Sequence, residues 1–72
     1  NPFAERFNII KNNQALNSII ISDVSGKLIY QRDDIDENNL FISVDLPNLA
    51  SGTYILSLYY DQSFKSYRLI KK

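Results

Sequence analysis

The 72-residue sequence predicts an all-β fold, a small antiparallel immunoglobulin-like β-sandwich of about six to seven strands. Three observations lead there. Apolar and polar residues alternate with a period of two in several short runs, turn-forming residues punctuate those runs at close intervals, and no segment carries apolar residues at the 3.6 period of a helix. A chain of this length supports one core and not two.

In order along the chain, the first strand is expected from Glu5 to Ile10, where Phe7 and Ile9 alternate with Arg6 and Asn8. Asn12, Asn13 and Gln14 end it. Asn17 to Val24 holds the β-branched run Ile19-Ile20-Ile21, which suits a strand covered on both faces or placed at the centre of the sandwich. Asp23-Val24-Ser25-Gly26-Lys27 reads as a turn, because an Asp carboxylate bonds nearby backbone and Gly takes positive φ without a steric penalty. A third strand leaves from Lys27 through Leu28, Ile29 and Tyr30.

The polar stretch from Arg32 to Asn39 separates it from Leu40 to Leu46, in which Leu40, Ile42, Val44 and Leu46 share one face. Pro47 has no N–H for a ladder and closes that strand. After the bend Leu49-Ala50-Ser51-Gly52, Thr53 to Tyr60 has the clearest strand pattern, with Tyr54, Leu56, Leu58 and Tyr60 on one side and Ile55, Ser57 and Tyr59 on the other. Asp61-Gln62-Ser63 turns the chain into a final strand from Phe64 to Ile70. The expected core is Phe7, Ile9, Ile19, Ile21, Ile42, Val44, Leu46, Leu49, Tyr54, Leu56 and Leu58.

Composition narrows the function. Formal net charge is zero, so the chain lacks the basic field that nucleic acid or an anionic membrane surface requires. No apolar run approaches the ~20 residues of a membrane span. Without Cys or His, disulfides, cysteine-ligated metal and Ser-His or Cys-His nucleophilic catalysis are excluded. No cofactor is expected. The sequence also has no Met, from which translation starting upstream and a longer parent chain are expected. A protein partner is the remaining expectation.

Leu49-x-x-Gly52-x-Tyr54 has the pattern of a tyrosine corner, in which a Tyr hydroxyl bonds backbone a few residues upstream, Gly allows the sharp bend and Leu plugs the core. Asp33, Asp34, Asp36 and Glu37 place four carboxylates in one stretch, yet they lack the D-x-[DN]-x-[DN]-G order of a calcium loop and read as an exposed hairpin tip. Nor do they form a glycosidase pair, which flanks a cleft from separate elements. An enzyme is not expected. Among the C-terminal aromatics Tyr54, Tyr59, Tyr60 and Tyr67, most are core or cross-strand pairs, and Tyr59 is the one expected outside.

Taken in order, Asn1-Pro2-Phe3, the segment Ile21-Ser22-Asp23-Val24-Ser25-Gly26-Lys27-Leu28-Ile29, the segment Leu46-Pro47-Asn48-Leu49-Ala50-Ser51-Gly52-Thr53-Tyr54-Ile55-Leu56 and the closing Lys71-Lys72 resemble the type A C-terminal sorting domain of the bacterial type IX secretion system. The resemblance covers nearly the whole chain. Ser22 stands where the family often has an aromatic residue. The resemblance implies a secretion signal that does no chemistry, joined to an upstream cargo that folds in the periplasm, crosses the outer-membrane translocon and ends secreted or on the cell surface. It further implies that a sortase-like peptidase commonly removes the signal. Under that reading Gly26, Lys27, Gly52, Tyr59, Lys71 and Lys72 are the candidate recognition residues, while Asp23, Leu49, Gly52 and Tyr54 are structural. A second possibility is an immunoglobulin-like or fibronectin-like accessory module of an extracellular enzyme, one that spaces domains or binds carbohydrate.

Overall fold

The computed structural model describes residues 2–3, 6–10, 15–35, 41–46 and 48–72. Asn1, the turn at Asn12 to Gln14, the acidic residues Asp36 and Glu37, Leu40 and Pro47 lie outside the described residues. The described residues form seven strands: β1 (Pro2–Phe3), β2 (Arg6–Ile10), β3 (Leu16–Asp23), β4 (Leu28–Arg32), β5 (Phe41–Asp45), β6 (Gly52–Tyr60) and β7 (Phe64–Lys71). They form a five-stranded sheet in the order β1-β7-β6-β3-β4 and a two-stranded sheet of β2 and β5. Together the sheets make a small β-sandwich, and no described residue is helical.

The period-two pattern does the work of assembly. In β5, Ile42 and Val44 are buried while Phe41, Ser43 and Asp45 are exposed. In β6, Tyr54, Leu56 and Leu58 are buried. Antiparallel pairing sets Ile19 against Leu58 and Ile21 against Leu56, and on the other sheet Ile9 against Ile42 and Phe7 against Val44. These rows join into one core with Leu16, Leu46 and Leu69, and Ile19, Ile21 and Val44 are completely buried. The Ile run of β3 lies inside the large sheet, between the central strand β6 and the edge strand β4. Ile20, on the outer face, is only half-buried.

Four details differ from the sequence expectation. β1 pairs with β7 in parallel, through Pro2 with Ile70 and Phe3 with Lys71, so the sandwich is not wholly antiparallel. Parallel neighbours need a long connection, and here nearly the whole chain lies between them. Leu16 opens β3 one residue earlier than expected and is buried, because a register shift between Leu16 and Ser18 resets the alternation and turns Leu16 and Ile19 to the same side. Leu69 also joins the core, as the inward neighbour of Tyr54. Phe7 and Leu49 pack against the core only half-buried, since each lies at its margin.

Because Ile21 is completely enclosed by both sheets, Ile21→Ala is expected to lower the unfolding free energy by about 2–5 kcal/mol. Ile10→Ala, at a position 72% exposed, is expected to stay within about 0.5 kcal/mol. Urea unfolding of the two variants checks this, and equal losses would contradict the assigned core.

Candidate recognition surface

The turn between β3 and β4 is held by one carboxylate. Asp23 Oδ1 accepts from the Ser25 hydroxyl at 2.7 Å and from the backbone N–H groups of Ser25 and Lys27, each at 2.9 Å. Backbone bonds from Gly26 N to Asp23 O and from Asp23 N to Lys27 O, both 3.0 Å, close the same turn. Gly26 makes the reversal with φ +93°, a region costly to any residue with a Cβ. The Ser25 hydroxyl, then the Lys27 backbone N–H, hold the Asp23 carboxyl below its ordinary value of 3.8, against the opposing effect of desolvation.

The bend before β6 has a matching anchor. The Tyr54 hydroxyl donates to the Ala50 carbonyl at 2.7 Å, four residues upstream, and the ring is buried. Gly52 enters the strand at φ +151°, and the space where a Cβ would stand is open, so any cost of substitution is one of backbone conformation. Leu49 packs half-buried against the core.

Strand register brings these two features together. Asp23 pairs with Tyr54, Tyr54 with Leu69, and Gly52 with Lys71. Asp23, Gly26, Lys27, Gly52, Tyr54, Lys71 and Lys72 therefore occupy one end of the large sheet. Lys27 and Lys71 belong to positions three strand spacings apart, about 14 Å. The Lys71 ammonium donates to the Lys72 carbonyl at 3.1 Å.

Tyr59 lies at the other end of β6, seven residues and about 23 Å from Gly52. It is 39% exposed and stacks on Phe64, with ring centroids 5.5 Å apart and planes 16° from parallel. Phe64 was not among the residues singled out from the sequence. Its place follows from the two-residue loop Asp61-Gln62, closed by Tyr60 N to Ser63 O at 2.8 Å, which sets Tyr59 opposite Phe64. On the inner face of that end, burial and then the neighbouring Tyr67 phenol push the Tyr60 phenol above its ordinary value.

The acidic stretch shows no binding geometry where it is described. Asp33 and Asp34 are exposed; Asp33 accepts from Gln31 at 3.2 Å and Asp34 pairs with Arg32 at 3.8 Å. Among the described residues no group of three potential metal ligands is gathered. Surface depressions beside Tyr60 to Ser63 and beside Asp45 to Leu49 are open to solvent.

These features define a small two-sheet β-domain whose distinctive groups lie on its surface. The family model described as "Secretion system C-terminal sorting domain" matches residues 1–72. The chain belongs to that family, and it is a C-terminal sorting signal for type IX secretion. The family is one of sorting signals rather than catalysts; membership implies interaction with the type IX system and a secreted or surface-bound cargo. No significant match was found among curated proteins or among solved structures.

Two outcomes test the turn and the bend. Gly52→Val is expected to cost about 1–3 kcal/mol, because φ +151° is held there by the surrounding ladder, whereas Ser51→Ala should cost under about 0.5 kcal/mol. Equal values in denaturant titration would remove the conformational argument. For Asp23, the folded pKa is depressed, so its contribution is present above the unfolded value of 3.8 and is lost as pH falls through the lower folded value. Asp23→Asn should therefore flatten the stability loss below pH 3.8 and leave the slope near neutrality unchanged. An unchanged acid limb in the variant would contradict the assigned hydrogen bonds.

Proposed function

We propose that the turned end of the large sheet is the part of the domain read by the type IX machinery, with Gly26, Lys27, Gly52, Lys71 and Lys72 as its contact residues. In this reading the domain closes a longer secreted protein, and its cargo folds in the periplasm before the outer-membrane translocon takes it. A sortase-like peptidase at the surface then separates cargo from signal. The domain itself does no chemistry. Asp23, Leu49 and Tyr54 keep the two loops in shape, and Tyr59 with Phe64 supplies a second, aromatic contact at the far end.

One observation supports this reading above the others: the pairings of Asp23 with Tyr54 and of Gly52 with Lys71 gather residues separated by up to about fifty positions in sequence onto one sheet end. A core needs no such gathering of exposed glycines and lysines. Gly26, Lys27 and Gly52 are all exposed.

A reporter carrying a signal peptide and ending in this chain is expected to reach the medium or cell surface of a host with a type IX system. Lys71→Ala with Lys72→Ala should reduce that export several-fold while the melting temperature holds, because exposed charges usually contribute within about 0.5 kcal/mol. Export of the doubly substituted reporter at the unchanged rate would remove the lysines from the recognised surface. Retention of the intact reporter in the periplasm would overturn the proposed route.

A further inference from the structure

The turn between β3 and β4 carries a residue that neither the turn nor the core uses. Val24 is 74% exposed, the highest value for a large apolar side chain among the described residues, and the others of that kind all lie within strands. Valine is favoured in strands by its branched Cβ, whereas turns favour Gly, Pro, Asn, Asp and Ser. Val24 thus has no local reason for its place. An apolar residue that departs from the local rule without adding to the core points to a contact made outside the fold.

Its surroundings hold it in one shape. Asp23 Oδ1 bonds the Ser25 hydroxyl and the N–H groups of Ser25 and Lys27, and two backbone bonds, Gly26 N to Asp23 O and Asp23 N to Lys27 O, close the loop around Val24. Beyond the turn, Leu28 opens β4 at 54% exposed, opposite Ser22. Between the two aliphatic residues in sequence stands Lys27, exposed, whose ammonium takes no part in the ion pairs of the described residues, Arg6 with Asp45 and Arg32 with Asp34. The hairpin therefore offers an apolar tip, a second aliphatic group and a cation on backbone that is ordered before any contact is made.

Resting on the sorting reading, we propose that this hairpin is a preformed finger: Val24 seats in an apolar pocket on a protein of the type IX machinery, a carboxylate at the pocket rim meets Lys27, and Leu28 packs beside the opening. A lipid surface fits poorly. One myristoyl chain gives only marginal membrane binding, and the side chains of Val24 and Leu28 together supply about half the carbons of such a chain. The Asp23 carboxylate, held ionised by its turn, would have to approach the lipid with them. A second copy fits no better, because the depressions beside Asp45 and Asp61 each hold one carboxylate, already engaged by Arg6 and by Asn17. A protein pocket with its own free acid meets both requirements, and a buried aliphatic anchor beside a rim charge is a common form of recognition.

Two reporters, one ending in the unsubstituted chain and one in a variant, are expressed together in a host with a type IX system, so that they compete for the same machinery and the ratio exported reads relative affinity. Val24→Ala removes two methyl groups from the pocket, worth about tenfold. Val24→Thr keeps the shape and branching of valine but places a hydroxyl among apolar groups, and a loss of about tenfold or more is expected. Both variants should keep the melting temperature, since so exposed a position matters little to the fold. Val24→Ile and Lys27→Arg should export as the unsubstituted reporter does, and Lys27→Glu at least about tenfold less. Undiminished export of the Val24→Thr reporter would overturn the proposal and leave the sorting reading intact. Binding of the purified chain to phosphatidylglycerol vesicles, or its self-association in sedimentation, would also overturn the proposal if either is lost with Val24→Thr. Retention of the unsubstituted reporter in the periplasm would instead overturn the sorting reading, and the finger with it.

Discussion

The ladder between β3 and β6 pairs Ile19 with Leu58, Ile21 with Leu56 and Asp23 with Tyr54, and most other features follow from this one alignment. Side chains alternate between faces, so a slip of one residue would send Ile19 and Ile21 to the outside and bring Ile20 and Ser22 in. The completely buried pair Ile19 and Ile21 makes that slip costly. The same alignment carries the Asp23 turn to the bend that Tyr54 closes. The core and the exposed sheet end are thus set by a single register.

The two loops at that end use polar side chains to do what a small core cannot. With only two strands in the second sheet, the sandwich cannot cover every part of its larger partner. Asp23 satisfies N–H groups of Ser25 and Lys27 that the reversal takes out of the ladder, and Tyr54 spends its hydroxyl on Ala50. Local hydrogen bonds hold the turns in one shape, which leaves Gly26, Lys27 and Gly52 exposed in a defined arrangement. Rigid presentation of that kind lowers the ordering cost of being recognised.

Charge is divided unevenly in a chain whose formal net charge is zero. The acidic residues Asp33 and Asp34 follow β4, at one margin of the large sheet, whereas four cations accompany β7 towards the other. Lys and Arg on an exposed strand discourage indiscriminate edge pairing.

How much could be read without coordinates depended on how local the cause was. The strands at Phe41–Asp45 and Gly52–Tyr60 were legible because unbroken alternation leaves one choice of inward face, and nine of the eleven expected core residues are buried. The reversals at Asp23 to Lys27 and at Leu49 to Gly52 were legible because Asp and Gly carry their turn chemistry in their own side chains or in lacking one. Leu16 was not, since a bulge breaks the alternation that would have pointed to it. Nor was the parallel seat of β1, whose two residues carry no pattern and whose partner is nearly the whole chain away. The sequence by itself determined the all-β class, the turns and the inward faces, through effects acting within a few residues. Which strands became neighbours and which sheet end gathered Gly26, Gly52 and Lys71 were decided only by tertiary structure, because pairing between distant strands is set by the packing of the entire core.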